Sequence, residues 1–138
     1  MTNIVLDTNC LLMSLSRRSV YYPIWRDFVE GKYTLCITNE ILAEYEEILT
    51  QKVGPEIASN VITAILDLPN TKMVQVYYHL HLITADPDDN KFVDCAFKAN
   101  ARYIVTEDHH YDALKQTSFP YIDVIGIDDF IKVLQIMP

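Results

Sequence analysis

Ile4-Val5-Leu6-Asp7-Thr8-Asn9 carries an unbroken apolar run, rich in β-branched residues, straight into a carboxylate. Such a run predicts a short buried first strand with Asp7 at its carboxyl end. Tyr103-Ile104-Val105-Thr106 predicts another strand of the same kind, and it too runs into acids, Glu107 and Asp108. What lies between the two decides whether they belong to one sheet.

Val20 to Glu30 carries Ile24, Phe28 and Val29 at helical spacing, and Gly31 ends it before a strand over Tyr33 to Ile37. Thr38 suits the cap of the next helix, where Ile41, Leu42, Tyr45, Ile48 and Leu49 fall on one stripe. Gly54-Pro55 interrupts, and Glu56 to Leu68 predicts a helix with Ile57, Val61, Ile65 and Leu66 inward. Val74, Val76, Tyr78, Leu80 and Leu82 recur at every second position, which is strand periodicity for at least part of Met73 to Leu82. Asp86-Pro87-Asp88-Asp89-Asn90 is a turn and helix start, followed by Phe92, Val93, Ala96 and Phe97 inward. Asn100 stands where a helix end takes a left-handed residue. A short helix over Tyr111 to Lys115, a strand over Tyr121 to Ile125 and a last helix over Asp129 to Leu134 complete the pattern. Strands alternating with helices predict an α/β fold, a mostly parallel sheet covered on both faces.

The 138 residues make one domain, residues 1–138, with no repeat, linker or low-complexity tract, and they suffice for a sizeable core. No apolar run approaches bilayer length, and no basic segment precedes an apolar one at the N-terminus, so a soluble protein without secretory signal or membrane association is expected. Cys10, Cys36 and Cys95 are odd in number and far apart, which suits buried thiols in a reducing cytoplasm. The net charge of −8 opposes nucleic-acid binding unless a divalent cation inverts the local sign.

Ligands of open α/β sheets bind beyond the carboxyl ends of the strands. Asp7, the Asp86 to Asn90 turn and Asp108 all fall at that rim, and Glu44 can join them from its helix. Carboxylates gathered there repel one another until protons or a hard cation neutralise them. Oxygen ligands of this kind favour magnesium or manganese. Taken singly, each residue has a plainer role: Asp7 and Asp108 as helix caps, Glu44 as a solvated helix acid, Asp86 to Asp89 as a helix N-terminus stabilised by its dipole. Their joint convergence is what points to chemistry.

These residues resemble the motifs of the PIN-domain family. Ile4 to Asn9 is similar to the family's opening strand, Asp, Thr and Asn. Thr38-Asn39-Glu40 through Glu44 is similar to its second motif, Asp86 through Phe92 to its third in the branch of toxin–antitoxin toxin components, and Tyr103 to Asp108 to its fourth. Order and spacing agree over nearly the whole chain, and Ile125 through Leu134 resembles that branch's closing strand and helix.

The resemblance implies a PIN-like three-layer α/β/α fold with a central, mostly parallel five-stranded sheet. It further implies an endoribonuclease dependent on Mg2+ or Mn2+, hydrolysing RNA to leave a 5′-phosphate, with an antitoxin protein as partner and a homodimer as assembly. By position, Asp7, Glu44, Asp89 and Asp108 form the acidic quartet, with Asp7, Asp89 and Asp108 as metal ligands. For the third acid, one branch's spacing lands on Asn90 and the other favours Asp86 and Asp89, with Asp94 in reserve. Thr8 and Thr106 are candidates to fix the carboxylates by hydrogen bonds.

Some features depart from the pattern. Glu107 adds a charge beside Asp108. His109-His110 invites a general-base or zinc reading, but adjacent side chains diverge, and a loop or core role is expected. Arg17-Arg18 are candidates for an RNA backbone, although adjacent arginines are commonly only solvated. Tyr21, Tyr22 and Trp25, at helical spacing, are assigned to packing rather than base stacking. A phosphotransferase with an Asp nucleophile needs a second Asp where Asn9 stands, and a phospho-accepting receiver domain needs an acid pair that is absent. A non-catalytic PIN-like binding module has no need of a complete acidic set.

Overall fold

The computed structural model describes residues 1–83, 87–116 and 122–138. Its sheet contains β1 (Asn3–Leu6), β2 (Thr34–Ile37), β3 (Thr71–Met73), β4 (Tyr103–Val105) and β5 (Val124–Ile125) in the order β3-β2-β1-β4-β5. Every pairing among them is parallel, so the sheet is parallel throughout rather than mostly so. The two stretches singled out in the sequence lie side by side at its centre, with Ile4 opposite Tyr103 and Leu6 opposite Val105. Their carboxyl ends therefore open at the same point of the rim.

Helices α1 (Thr8–Met13), α2 (Tyr22–Val29), α3 (Asn39–Val53), α4 (Pro55–Asp67), α5 (Asn90–Ala99) and α6 (Ile127–Ile136) cover the sheet as a three-layer α/β/α sandwich. Ile4, Val5, Leu35, Ile37, Ile104 and Val105 are fully buried, as strands covered on both faces require. Thr38 caps α3 by accepting from the Ile41 amide at 3.1 Å, and Tyr45 from the same helix donates to the Leu6 carbonyl at 2.6 Å, tying α3 to β1. Asn100 closes α5 at φ 52° and ψ 49°, the left-handed conformation its position demanded.

The structure corrects several details. Six residues are too few to display a helical period, and α1, directly after Asp7, escaped the sequence reading. Ile57, Leu66 and Phe97, expected inward, are exposed. In α4 the stripe facing the core is Ala58, Val61, Ile62 and Ile65, and Ile57 and Leu66 flank it. Of the alternation over Met73 to Leu82 only Met73 lies in a strand, as the last residue of β3. The Val74 amide bonds Ile37, the last residue of β2, and beyond that rung no strand continues alongside. Val74 is buried, yet Tyr78 on the same alternating face is 84% exposed. The short helix at Tyr111 is a 3-10 helix over His109–Gln116, and the last helix is longer than expected at both ends. The strand expected from Tyr121 is described only as β5, residue 121 lying outside the described residues.

Candidate active site

Asp7 leaves β1 at the cap position of α1 but spends its side chain elsewhere. The Asn9 amide faces its carboxylate without reaching hydrogen-bond geometry, whereas the Thr106 hydroxyl donates to Oδ2 at 2.6 Å from the neighbouring strand end. The same Thr106 oxygen accepts from the Asp108 amide at 3.0 Å. One hydroxyl thus ties the Asp7 carboxylate to the backbone of Asp108. Asp7 is 8% exposed, and burial, above all other causes, raises its carboxyl pKa. The charges of Asp108 and Glu44 push the same way, against the hydrogen bond from Thr106 and the nearby Asn9 amide.

Asp89 stands at the start of α5 without capping it. Its Oδ2 lies 3.2 Å from Nδ1 of His110, and that nitrogen lies 3.2 Å from Oδ1 of Asp108. Asp108 also caps its own turn, accepting from the His110 amide at 2.9 Å. The plainer role foreseen for it is therefore real, and it leaves the carboxylate facing Asp89. Asp89, Asp108 and His110 each offer one ligand atom, all within 4.8 Å of one another.

Glu44 reaches the site from α3 with both oxygens engaged, one accepting from the Thr8 hydroxyl and the other 2.8 Å from Nζ of Lys91. Lys91 also donates to the Asp88 carbonyl at 2.7 Å, so its ammonium joins α3 to the turn before α5. Fully buried Tyr111 lies beneath these acids. Burial raises its phenol furthest, and the charges of Asp7, Asp89, Asp108 and Glu44 all add to that rise. Its hydroxyl bonds the Asp89 carbonyl at 3.3 Å.

The remaining candidates separate. Asn90 is buried with its amide clamped on the backbone of Ile83, donating to its carbonyl at 2.8 Å and accepting from its N–H at 2.9 Å. Asp94 is 4% exposed and turned away, with one oxygen on the Leu80 amide and the other on His79 Nδ1, both at 3.0 Å. Both residues anchor the segment after β3. Asp86 lies outside the described residues. Arg17 and Arg18 are exposed on the loop beyond α1, and among the described residues no ion pair engages them.

His110 corrects the loop role assigned to it. Lys91 and Tyr111 were overlooked as well; Lys91 sits within the third motif, but Tyr111 belongs to a turn without periodicity. Glu107, which stood out as an extra charge, accepts from the Ile127 amide at 2.6 Å and so serves the start of α6. Tyr21 and Trp25 pack as expected, Tyr21 donating to Asp128 at 2.9 Å and Trp25 lying 5.6 Å from the Phe28 ring. All three thiols are free and buried, and burial pushes Cys36 up to about 11 and Cys95 up to about 12. A groove of about 530 Å³ runs beside the cluster, between the start of α3 and residues 74–81, and is lined in part by Lys91.

A family model described as PIN domain matches residues 3–110. In fold, the chain is similar to a chain of the VapBC2 complex from Rickettsia felis bound to a DNA fragment from their promoter. The TM-score is 0.62 at 17% identity, over 91% of this chain and 98% of that one. It is similar also to a chain of DNA-bound VapBC from Salmonella typhimurium, with a TM-score of 0.61 at 17% identity over 92% and 99%. No curated protein matches the chain by sequence.

Proposed function

Because the chain belongs to the PIN-domain family, we propose that it is a single-domain endoribonuclease that depends on Mg2+ or Mn2+. The observation that carries this reading is the approach of Asp89 to Asp108 at the carboxyl end of β4, with Asp7 at the end of the neighbouring β1 linked to the Asp108 backbone through Thr106. The donor set fits a hard divalent ion. It is built of carboxylate oxygens, burial and then the neighbouring charges raise the pKa of Asp7, and Lys91 is engaged by Glu44. Such an ion, when bound, offsets charge on a phosphate oxygen and lowers the pKa of water at neutral pH.

The chain's own residues supply the rest. Asp7, Asp89 and Asp108 hold the ion. Thr106 keeps Asp7 and Asp108 in register with each other, so neither must reorganise when phosphate arrives. Glu44, braced by Thr8 and Lys91, holds the α3 side of the cleft and would help the ion through a water-bridged contact. Arg17 and Arg18 offer exposed cations to the RNA backbone beyond the cleft.

We read the protein further as the toxin of a toxin–antitoxin pair, with an antitoxin protein as partner, a homodimer as its assembly and the cytoplasm as its location. Likeness to chains of two VapBC complexes supports the pairing. No helix among the described residues is long and apolar enough to cross a membrane.

The test is purified protein with assorted RNAs in Mg2+, Mn2+ or chelator, beside Asp7→Asn and Asp108→Asn. Cleavage is expected with either ion, absent with chelator, and reduced by about 100-fold or more in each variant, the scale of losing a group that stabilises developing charge. Cleavage that survives chelation, or that ignores both substitutions, removes this function.

A further inference from the structure

His110 is the one non-carboxylate in the cluster, and its position is unlike that of an ordinary surface histidine. Nδ1 is equidistant from Asp89 and Asp108, 3.2 Å from each. Hydrogen bonds between charged nitrogen and carboxylate shorten to about 2.7–2.9 Å when geometry is free to relax. Here the ring serves two acids and is ideal for neither. Two ligands at right angles in an octahedron with bonds of about 2.1 Å are themselves about 3.0 Å apart, close to the spacing found.

The ring is also held in place. The His110 amide bonds Asp108 at 2.9 Å, the Asp108 amide bonds Thr106 at 3.0 Å, and Tyr111, next along, bonds the Asp89 carbonyl at 3.3 Å. Both segments that carry the carboxylates are thus pinned where the imidazole enters. The imidazole nitrogen and one oxygen of each carboxylate, all within 4.8 Å of one another, face a common point.

We propose that His110 Nδ1 is a ligand of the divalent cation beside Asp89 and Asp108, and that it makes the centre prefer a first-row transition ion such as Mn2+ over Mg2+. The inference rests on the nuclease reading above and deepens it. Magnesium demands oxygen ligands and surrenders its waters reluctantly, whereas transition ions gain from imidazole nitrogen.

The test reads binding rather than turnover. Dissociation constants for Mn2+ and Mg2+ are measured by calorimetry on wild type, His110→Ala, His109→Ala and Asp108→Asn, and pulsed EPR of bound Mn2+ looks for nitrogen coupling from histidine. In wild type, Mn2+ binds more tightly and shows nitrogen coupling. His110→Ala weakens Mn2+ by about tenfold, leaves Mg2+ within about threefold and abolishes the coupling. His109→Ala changes neither, because its ring is 95% exposed and points elsewhere. Circular dichroism verifies that His110→Ala is folded, which its half-exposed side chain permits. An unchanged Mn2+-to-Mg2+ ratio in His110→Ala, or bound Mn2+ without nitrogen coupling in wild type, overturns the inference and leaves the nuclease reading intact. Failure of wild type to bind either ion, or undiminished binding by Asp108→Asn, overturns both.

Discussion

Thr106 uses a single hydroxyl to donate to Asp7 and to accept from the backbone of Asp108. Valine has the same shape and neither capacity. Thr106→Val is therefore expected to weaken Mn2+ binding by about 10–100-fold while the protein stays folded, as titration calorimetry will show. Asp7 carries a cost that its proton relieves. Its folded pKa is raised, so the stability linked to its protonated form is complete below the ordinary carboxylate range and is lost as pH rises through the folded value. At neutral pH and without metal the charged group strains the fold. Asp7→Asn should raise the metal-free Tm by about 2–5 °C and cancel the stabilisation that Mn2+ gives wild type. A lower metal-free Tm in that variant would count against buried repulsion. Asp94 separates from this group. With its oxygens on Leu80 and His79, Asp94→Asn should lower Tm and spare metal binding, whereas Asp89→Asn should do the reverse. Asp89 and Asp94 looked interchangeable in the sequence because both lie near the start of one helix. Five residues along α5 turn one toward His110 and the other toward the segment after β3.

Elements with a clear period were legible, and those without one were not. The buried runs of β1 and β4, the Thr38 cap and the left-handed Asn100 all follow from local chemistry. The stripes of α4 and α5 were placed to within one residue, enough to misplace Ile57, Leu66 and Phe97 on their flanks. Alternation over Met73 to Leu82 was read as a strand, but pairing requires a neighbour, and β2 ends at Ile37. His110 and Tyr111 lie in a 3-10 helix whose contacts come from the start of α5, so nothing local announces them. Glu107 is a further case of function fixed at a distance. Gly126 precedes α6 without a side chain to cap it, and the Glu107 carboxylate supplies the acceptor, 3.2 Å from where a Gly126 Cβ would stand. Glu107→Ala is expected to cost about 1 kcal/mol by denaturant unfolding, the usual price of a lost cap, and to leave metal binding unchanged.

The whole molecule bears a net charge of −8, and the proposed ribonuclease function requires it to meet a polyanion. With most of its surface repelling phosphate, binding falls to the cation in the cleft and to exposed basic groups such as Arg17 and Arg18. Replacing both arginines by alanine should raise KM for RNA by about 3–10-fold and flatten the dependence of log KM on log salt by roughly one to two units, with kcat held. A change confined to kcat would place them in the chemistry instead. The order β3-β2-β1-β4-β5 has a consequence in time as well as in space. Ile4 pairs with Tyr103, so the two central strands meet only after nearly a hundred residues of intervening chain have been made and gathered. Closing so wide a loop is among the slower events of folding. A nascent chain emerging from the ribosome can complete β1, β2 and the helices between them while Asp108 is still unmade. If the proposed ribonuclease function holds, such a chain cannot yet cut the message from which it is being translated, because its fourth-strand acid is still missing.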